Sequence, residues 1–321
     1  MADDLSIIAG YELQDRDVSW TKSDLVAYAI GVGATKDGPH YIDEHDASFT
    51  ALPTYPTIMT LASNSTDLHP FIVNGTLLKG MPANTISGNP VYLAKSTIEI
   101  VKHIPLVSGH GWKWKTRYTY ALQVGPGIRI ELKSKLISPD NVTYSKLYST
   151  YFVNGVTTTG PRPGKITAVG PPKEIPIPLN RKADWIVEDT LVSVINIDFR
   201  EKIRYSYLNA DPLVMKAAYL NREFSDQTEP PKVAHPLCVF GIASRAVIKS
   251  VGKLNPLSLK FIGGRFHSYP LSGDQLQTKI WKMDVVASDP QKMTNTQVSF
   301  CTRNMATGKL IMDCGVAYLD I

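Results

Sequence analysis

The sequence predicts an α+β fold made of two tandem curved antiparallel sheets, each wrapped around one long helix. Three observations predict it: a strongly apolar helical segment, alternating strand-like stretches that recur in both halves, and a connector rich in proline and glycine. With 321 residues, of which 43% are hydrophobic and 20% charged, the chain is long enough to bury a substantial core.

The helical signal is clearest in "LCVFGIASRAVIKSVG", residues 237–252, which is nearly all apolar until its last turn. Arg245 and Lys249 lie toward the C-terminal end, where cations suit the helix dipole. A helix this apolar must be covered, most simply by a curved antiparallel sheet. A second helix is predicted in "TKSDLVAYAIGVGA", where Thr21 and Asp24 have capping-box spacing and four residues follow at helical spacing: Leu25, Tyr28, Ala29 and Val32.

The strand signal is period-2 alternation. It is clearest where three apolar residues alternate with three charged ones, which predicts a half-buried antiparallel strand: Ile128, Ile130 and Leu132 against Arg129, Glu131 and Lys133. Each half also has a strand, a Pro-Leu turn, a Ser-Gly and another strand, at residues 102–116 and 266–280, and closes on two further alternating stretches. One long helix inside a curled sheet, duplicated, is a double hot-dog arrangement.

The connector spans residues 157–183 and contains six prolines and three glycines. Proline fixes φ and removes backbone donors, so this stretch is predicted to be extended. The predicted organisation is an N-terminal half at 1–156, the connector at 157–183 and a C-terminal half at 184–321.

Composition excludes several classes of protein. No apolar run is long enough to span a bilayer, the first residues lack a basic leader region, and the last three are not a peroxisomal address. The chain has three sparse cysteines, an odd number, which predicts free thiols in a reducing compartment. The expected location is the cytoplasm. No phosphate-binding or dinucleotide-binding glycine motif occurs, so no cofactor is expected. Residues 38–46 are rich in histidine and carboxylates, but their spacing matches no known metal site, and no metal is expected.

The net charge is +5, and the Lys and Arg residues are scattered along the sequence rather than clustered. This pattern predicts an ordinary solvated surface and no nucleic-acid partner. The alternative is a basic rim that faces a phosphorylated carrier such as coenzyme A.

Several segments together resemble the MaoC-like family, specifically the eukaryotic (R)-specific 2-enoyl-CoA hydratase 2, over nearly the whole chain. They are "DLVAYAIGVGA", "LPTYPTIMTL", "RKADWIVEDTL", "HPLCVFGIASRAVIKSVG" and "RFHSYPLSGDQLQTKIWKMD". The resemblance implies the double hot-dog fold and an apolar tunnel for the acyl chain of a thioester.

The stretch "YLNADPLVMK", 207–216, resembles the family's catalytic loop, roughly G-D-x-N-P-L-H. By this resemblance, Asn209 stands where the family has its catalytic Asp, Asp211 where it has Asn, and Val214 where it has the catalytic His. Pro236 stands at the glycine of H-G-L, whose N–H polarises the thioester carbonyl. Asparagine takes no proton at neutral pH, valine has no polar atom and proline has no N–H. Hydration by the family's usual groups is therefore not expected.

The remaining groups give the candidate site, each with a structural alternative. Asp211 is either a helix cap or a carboxyl of raised pKa in an apolar cleft. His235 is either a structural hydrogen bonder or a donor to a substrate carbonyl. Cys238 lies on a first helical turn that favours a thiolate, or is simply packed. The candidate catalytic residues are Asp211, Asn209 and His235, and the candidate substrate-binding residues are Val214, Pro236, Cys238 and Tyr207.

These observations predict an enzyme that uses the apolar tunnel for shape-directed cyclisation, pericyclic (Diels-Alder-like) reaction or isomerisation. The expected setting is a specialised polyketide- or terpenoid-type pathway of a fungus. One alternative is an (R)-specific enoyl-thioester hydratase or dehydratase with relocated acid and base groups, Asp211 and His235. Another is a non-catalytic acyl-binding protein. The expected partners are an apolar small molecule, carried as a coenzyme A or carrier thioester, and a second copy of the chain in a homodimer.

Overall fold

The computed structural model describes residues 9–35, 39–60, 91–155, 174–191, 234–271, 273–284 and 296–321. In chain order, the α-helices and strands within these residues are β1 (Arg16–Asp17), α1 (Lys22–Gly31), α2 (Tyr55–Met59), β2 (Val91–Ile100), β3 (Lys113–Val124), β4 (Gly127–Ile137), β5 (Thr143–Asn154), β6 (Trp185–Thr190), α3 (Pro236–Ser250), β7 (Leu259–Phe266), β8 (Gln275–Met283), β9 (Thr296–Asn304) and β10 (Leu310–Leu319).

The strands form one antiparallel sheet in the order β1-β3-β4-β5-β2-β7-β10-β9-β8-β6. The order β3-β4-β5-β2 in the first half is mirrored by β8-β9-β10-β7 in the second. The halves meet where β2 pairs with β7, with Ile98 opposite Ile262. The α+β class and the internal repeat are therefore confirmed, and the Pro-Leu turns lie between β2 and β3 and between β7 and β8.

The central helix α3 packs against β2, β6, β7, β8 and β10. Its burial on nearly all sides explains why the segment is so apolar. Gly241 lets α1 approach closely, since a Cβ there would lie 2.5 Å from Val32 and 2.8 Å from the Tyr28 hydroxyl. The α1 capping box is confirmed: the Thr21 hydroxyl accepts a bond from the Asp24 N–H, and the Asp24 carboxylate accepts from the Thr21 N–H at 2.8 Å.

Arg245 joins three elements. Its Nε donates to the Val32 carbonyl at the end of α1 at 3.1 Å, and its Nη2 bonds the Asp189 carboxylate on β6. Both charged side chains are largely buried. The sequence assigned Arg245 to the helix dipole, whereas the structure uses it to tie α1 and β6 to α3.

The last residues of the predicted connector are held against the sheet. Glu174 forms ion pairs with Lys95 on β2, at 2.9 Å, and with Arg265 on β7. The Ser299 hydroxyl donates to the Ile175 carbonyl at 3.3 Å. Residues 156–173 lie outside the described part, so the boundaries at 156 and 184 stay a prediction.

One strand residue departs from the predicted pattern. Ile128, Ile130 and Leu132 are buried as expected, but Glu131, predicted to be on the exposed side, is only 7% exposed. The Thr119 hydroxyl donates to its carboxylate at 2.6 Å. This hydrogen bond offsets part of the cost of burying the carboxylate.

Candidate active site at the start of the central helix

The structure describes only part of the predicted site. Asn209, Asp211, Val214 and Tyr207 lie in residues 192–233, outside the described residues. Their predicted roles stay predictions. The other three candidates, His235, Pro236 and Cys238, lie together at the start of α3.

His235 is the N-cap of α3. Its Nδ1 accepts a hydrogen bond from the Leu237 N–H at 3.1 Å, which satisfies one of the unpaired donors of the first helical turn. The side chain is 3% exposed, and burial lowers its pKa to about 4. The ring is therefore neutral near pH 7. Because Nδ1 is the acceptor, the proton is on Nε2.

Pro236 is the first residue of α3, a position where a missing N–H costs the helix nothing. The next two N–H groups are already used: Leu237 donates to the His235 ring, and Cys238 donates to the His235 carbonyl at 2.9 Å. Among these first three residues of the helix, no N–H is left for a substrate oxygen. The carbonyl-polarising group implied by the family resemblance is thus absent from this position.

Cys238 does not have the environment of a thiolate. The residue is 1% exposed, and its Sγ contacts the Gly31 carbonyl at 3.6 Å. Burial raises the pKa of the thiol to about 12, which outweighs the helix dipole. Of the two alternatives for Cys238, the packed one fits this environment and the thiolate does not.

The first turn of α3 faces an apolar cluster on the inner surface of the first half. Leu237 packs there with eight residues of β2 to β5, which are Leu93, Tyr118, Ala121, Ile128, Ile130, Leu132, Tyr151 and Val153. Ile58 of α2 and Phe266 of β7 pack against the same cluster. The cluster, the α3 start and α2 together form the candidate site.

Polar groups lie beside this cluster. Arg16 donates to the Met59 carbonyl at the end of α2 at 2.9 Å, and burial lowers the pKa of its guanidinium to about 10. Burial also raises the pKa of the Tyr118 hydroxyl, which therefore stays protonated. Sequence reasoning missed Arg16. The available signal was its alternation with the inward residues Val18 and Trp20, which assigns it to the buried side.

No three His, Cys, Asp or Glu side chains come together as a metal site in the described ranges. In the segment that suggested one, Asp43 accepts a bond from the His45 N–H at 3.0 Å, and Asp46 accepts bonds from Ser48. These carboxylates stabilise turns. No helix in the part of the chain that the structure describes is long and apolar enough to cross a membrane.

Comparison with known proteins agrees with this architecture. Residues 18–106 match the family model of the MFE-2 hydratase 2 N-terminal domain. A Dictyostelium discoideum protein named "Probable enoyl-CoA hydratase 2" is 22% identical over all of this chain and 98% of its own length. The mouse "Peroxisomal multifunctional enzyme type 2" is 24% identical over 97% of this chain, which spans only 38% of that relative.

The fold is also that of a solved structure. The MaoC-like dehydratase from Phytophthora capsici has a TM-score of 0.73 and 23% sequence identity, covering 98% of this chain and 97% of its own. The family model, the relatives and the shared fold together support the resemblance of this chain to the MaoC-like family.

Proposed function

We propose that the chain hydrates a 2-enoyl thioester, or dehydrates the matching 3-hydroxyacyl thioester, with the acyl group against the apolar cluster beside α3. The names of the relatives, enoyl-CoA hydratase 2 and MaoC-like dehydratase, support this class of reaction more than cyclisation. The thioester carrier is coenzyme A or a carrier protein, and a homodimer is the expected assembly.

The observation that carries the proposal is the neutral His235 ring at the start of α3. Its Nε2–H is a donor of fixed tautomer, because Nδ1 is held by the Leu237 N–H. With a pKa near 4, the ring stays uncharged at neutral pH. A neutral imidazole can polarise a carbonyl without proton transfer. We assign this role to His235, in place of the N–H that Pro236 lacks.

Water addition also needs a group that takes a proton from water and returns one to the α-carbon. Among the predicted residues, Asp211 is the only carboxylate of the loop and takes this role in the proposal. Asn209 would hold the water by hydrogen bonds without ionising. Both assignments come from the sequence and its family resemblance.

A second candidate function is a shape-directed cyclisation, pericyclic reaction or isomerisation in the same site. The occupied N–H groups at the start of α3 favour it, because such reactions need no activated water. Holding reacting atoms in a near-attack geometry contributes roughly 7–11 kcal/mol in favourable cases.

The test is incubation of the purified chain with crotonyl-CoA, a longer 2-enoyl-CoA and (R)-3-hydroxyacyl-CoA, followed by loss or gain of the enoyl-thioester absorbance. His235→Asn is the informative variant, since its amide oxygen keeps the cap but leaves no donor at the Nε2 position. We expect kcat to fall by about 10²–10³-fold in this variant, as for loss of one oxyanion donor.

A wild-type chain that turns over none of these thioesters would contradict the proposal. If it still bound them, the acyl-binding alternative or the second candidate would replace the hydratase. An Asn variant with full activity would show that His235 only caps the helix.

A further inference from the structure

The sheet gathers cations that are scattered in the sequence. On the first half, Lys115 of β3 lies directly opposite Lys135 of β4, which lies opposite Lys146 of β5. In the next row, Arg117 lies opposite Lys133. We call these five residues the cationic strip. The strand neighbours of the three lysines are Trp114, Leu136 and Leu147, which are buried in the core. Because successive side chains of a strand point to opposite faces, the strip lies on the outer face of the sheet.

This arrangement costs stability. Like charges directly opposite each other across strands are destabilising. Burial lowers the pKa of Lys135, and the neighbouring cations of the strip lower it further. The pKa of Lys133 is lowered in the same way, chiefly by burial. Lys146 is partly compensated by Glu99, at 2.8 Å.

Carboxylates border the strip. On the β1 side, Glu12 is paired with Arg117 in a β-bridge, and Asp15 lies 4.0 Å from Lys115. On the other side, Glu99 is directly opposite Lys146. The strip is therefore narrow, about 10 Å across its three strands.

We propose that the cationic strip is a docking surface for an acidic protein segment that presents a row of carboxylates. Carboxylates three or four residues apart on a helix are about 5–6 Å apart, close to the spacing of about 4.8 Å between strands. A second copy of the chain fits poorly, because its strip has the same charge. A nucleic acid or an anionic membrane would bring phosphates against the bordering Glu12, Asp15 and Glu99.

The strip lies on the opposite face of the sheet from α3 and the apolar cluster. A partner bound there leaves the candidate active site open. The proposal is therefore independent of the proposed function and concerns attachment of the chain to another protein.

The test uses a labelled helical peptide with glutamate at every third or fourth position, and its glutamine analogue. Binding is measured by fluorescence anisotropy at about 50 mM and about 300 mM salt, where screening differs strongly. The strip variant is Lys115→Gln/Lys135→Gln/Lys146→Gln. The control variant removes the same charge at three exposed lysines elsewhere: Lys182→Gln/Lys253→Gln/Lys309→Gln.

We expect the wild type to bind the glutamate peptide and not its glutamine analogue. The strip variant should bind the glutamate peptide about tenfold more weakly, which is the loss expected for a few exposed ion pairs of ordinary strength, and the control variant should change its affinity less than twofold. The strip variant should also be at least as stable in urea as wild type, since repulsion is relieved. No binding by wild type, or equal loss in both variants, would overturn the proposal. So would strip-dependent binding of single-stranded DNA or phosphatidylserine vesicles in preference to the peptide.

Discussion

The ring Nδ1 of His235 accepts the backbone N–H of Leu237 at 3.1 Å, at the first turn of the buried central helix. This one hydrogen bond caps the helix and fixes which ring nitrogen carries the proton. It also occupies the Leu237 N–H, which is therefore not available to a substrate oxygen. The chemistry available at this end of α3 therefore depends on a side chain rather than on the helix backbone.

The first prediction concerns pH. The pKa of His235 is about 4 in the folded chain, below the ordinary value of about 6.5. Between these two pH values the unfolded chain therefore binds more protons than the folded chain. The contribution of the neutral His235 ring to the free energy of unfolding is complete above pH 6.5 and is lost as the pH falls toward 4. We expect the wild type to lose up to about 3 kcal/mol relative to His235→Asn across this range. Urea unfolding at several pH values measures this difference. The prediction would be refuted if the free energy of unfolding had the same pH dependence in the two proteins.

The second prediction concerns the buried pair of Arg245 and Asp189. Asp189→Ala leaves the guanidinium without its carboxylate, and loss of one partner of a buried pair costs about 3–5 kcal/mol. The double variant Asp189→Leu/Arg245→Met should cost clearly less, because no buried charge remains. Denaturant unfolding of the single and double variants tests this. Equal destabilisation of the single and double variants would contradict this prediction, because the unpaired buried guanidinium would then add no cost of its own.

The third prediction concerns the connector. Residues 174 and 175 are fixed to the sheet by the Glu174 ion pairs and the Ser299 bond. Limited proteolysis should therefore cut within 156–173 before it cuts within 174–183. The fragments should remain associated under native conditions, because β2 and β7 stay paired. Gel filtration of the nicked protein measures this, and separate elution of the fragments would disprove a continuous sheet.

The fourth prediction concerns restoration of the family's loop. Asn209→Asp, Val214→His and Pro236→Gly together should raise the hydration rate of a 2-enoyl-CoA at least tenfold, whereas single changes should not, because these groups act as a unit. Pro236→Gly alone restores an N–H but costs about 1 kcal/mol of stability through the unfolded chain. Circular dichroism serves as the control for folding. A folded triple variant with no gain would show that the site has been reshaped beyond these positions.

Local patterns predicted much of the fold. The period-2 stretches coincide with β4, β5, β9 and β10, and the Thr21–Asp24 box begins α1. Both signals depend only on neighbouring residues, so no knowledge of the tertiary structure is needed. The repeat of the Pro-Leu turn predicted that the two halves resemble each other, and their mirrored strand orders agree with this.

Features that depend on strand register could not be predicted. Lys115, Lys135 and Lys146 are distant in sequence and adjacent only once three strands are aligned. The hydrogen bond that compensates the buried Glu131 carboxylate comes from Thr119 of the next strand. The sequence left two alternatives for Cys238, because the helix dipole favours a thiolate there and only the packed core shows the burial that raises the pKa of the thiol.

The rate of 2-enoyl-CoA hydration by the wild type tests the central claim most directly. We expect measurable turnover, slower than the usual enzyme median of about 10 s⁻¹, with the (R) product and strong loss in His235→Asn. The reduced rate follows from the replacements at Asn209, Val214 and Pro236. Turnover that is absent, or that is unaffected by His235→Asn, would contradict the claim that this chain is a hydratase using His235 as its carbonyl donor.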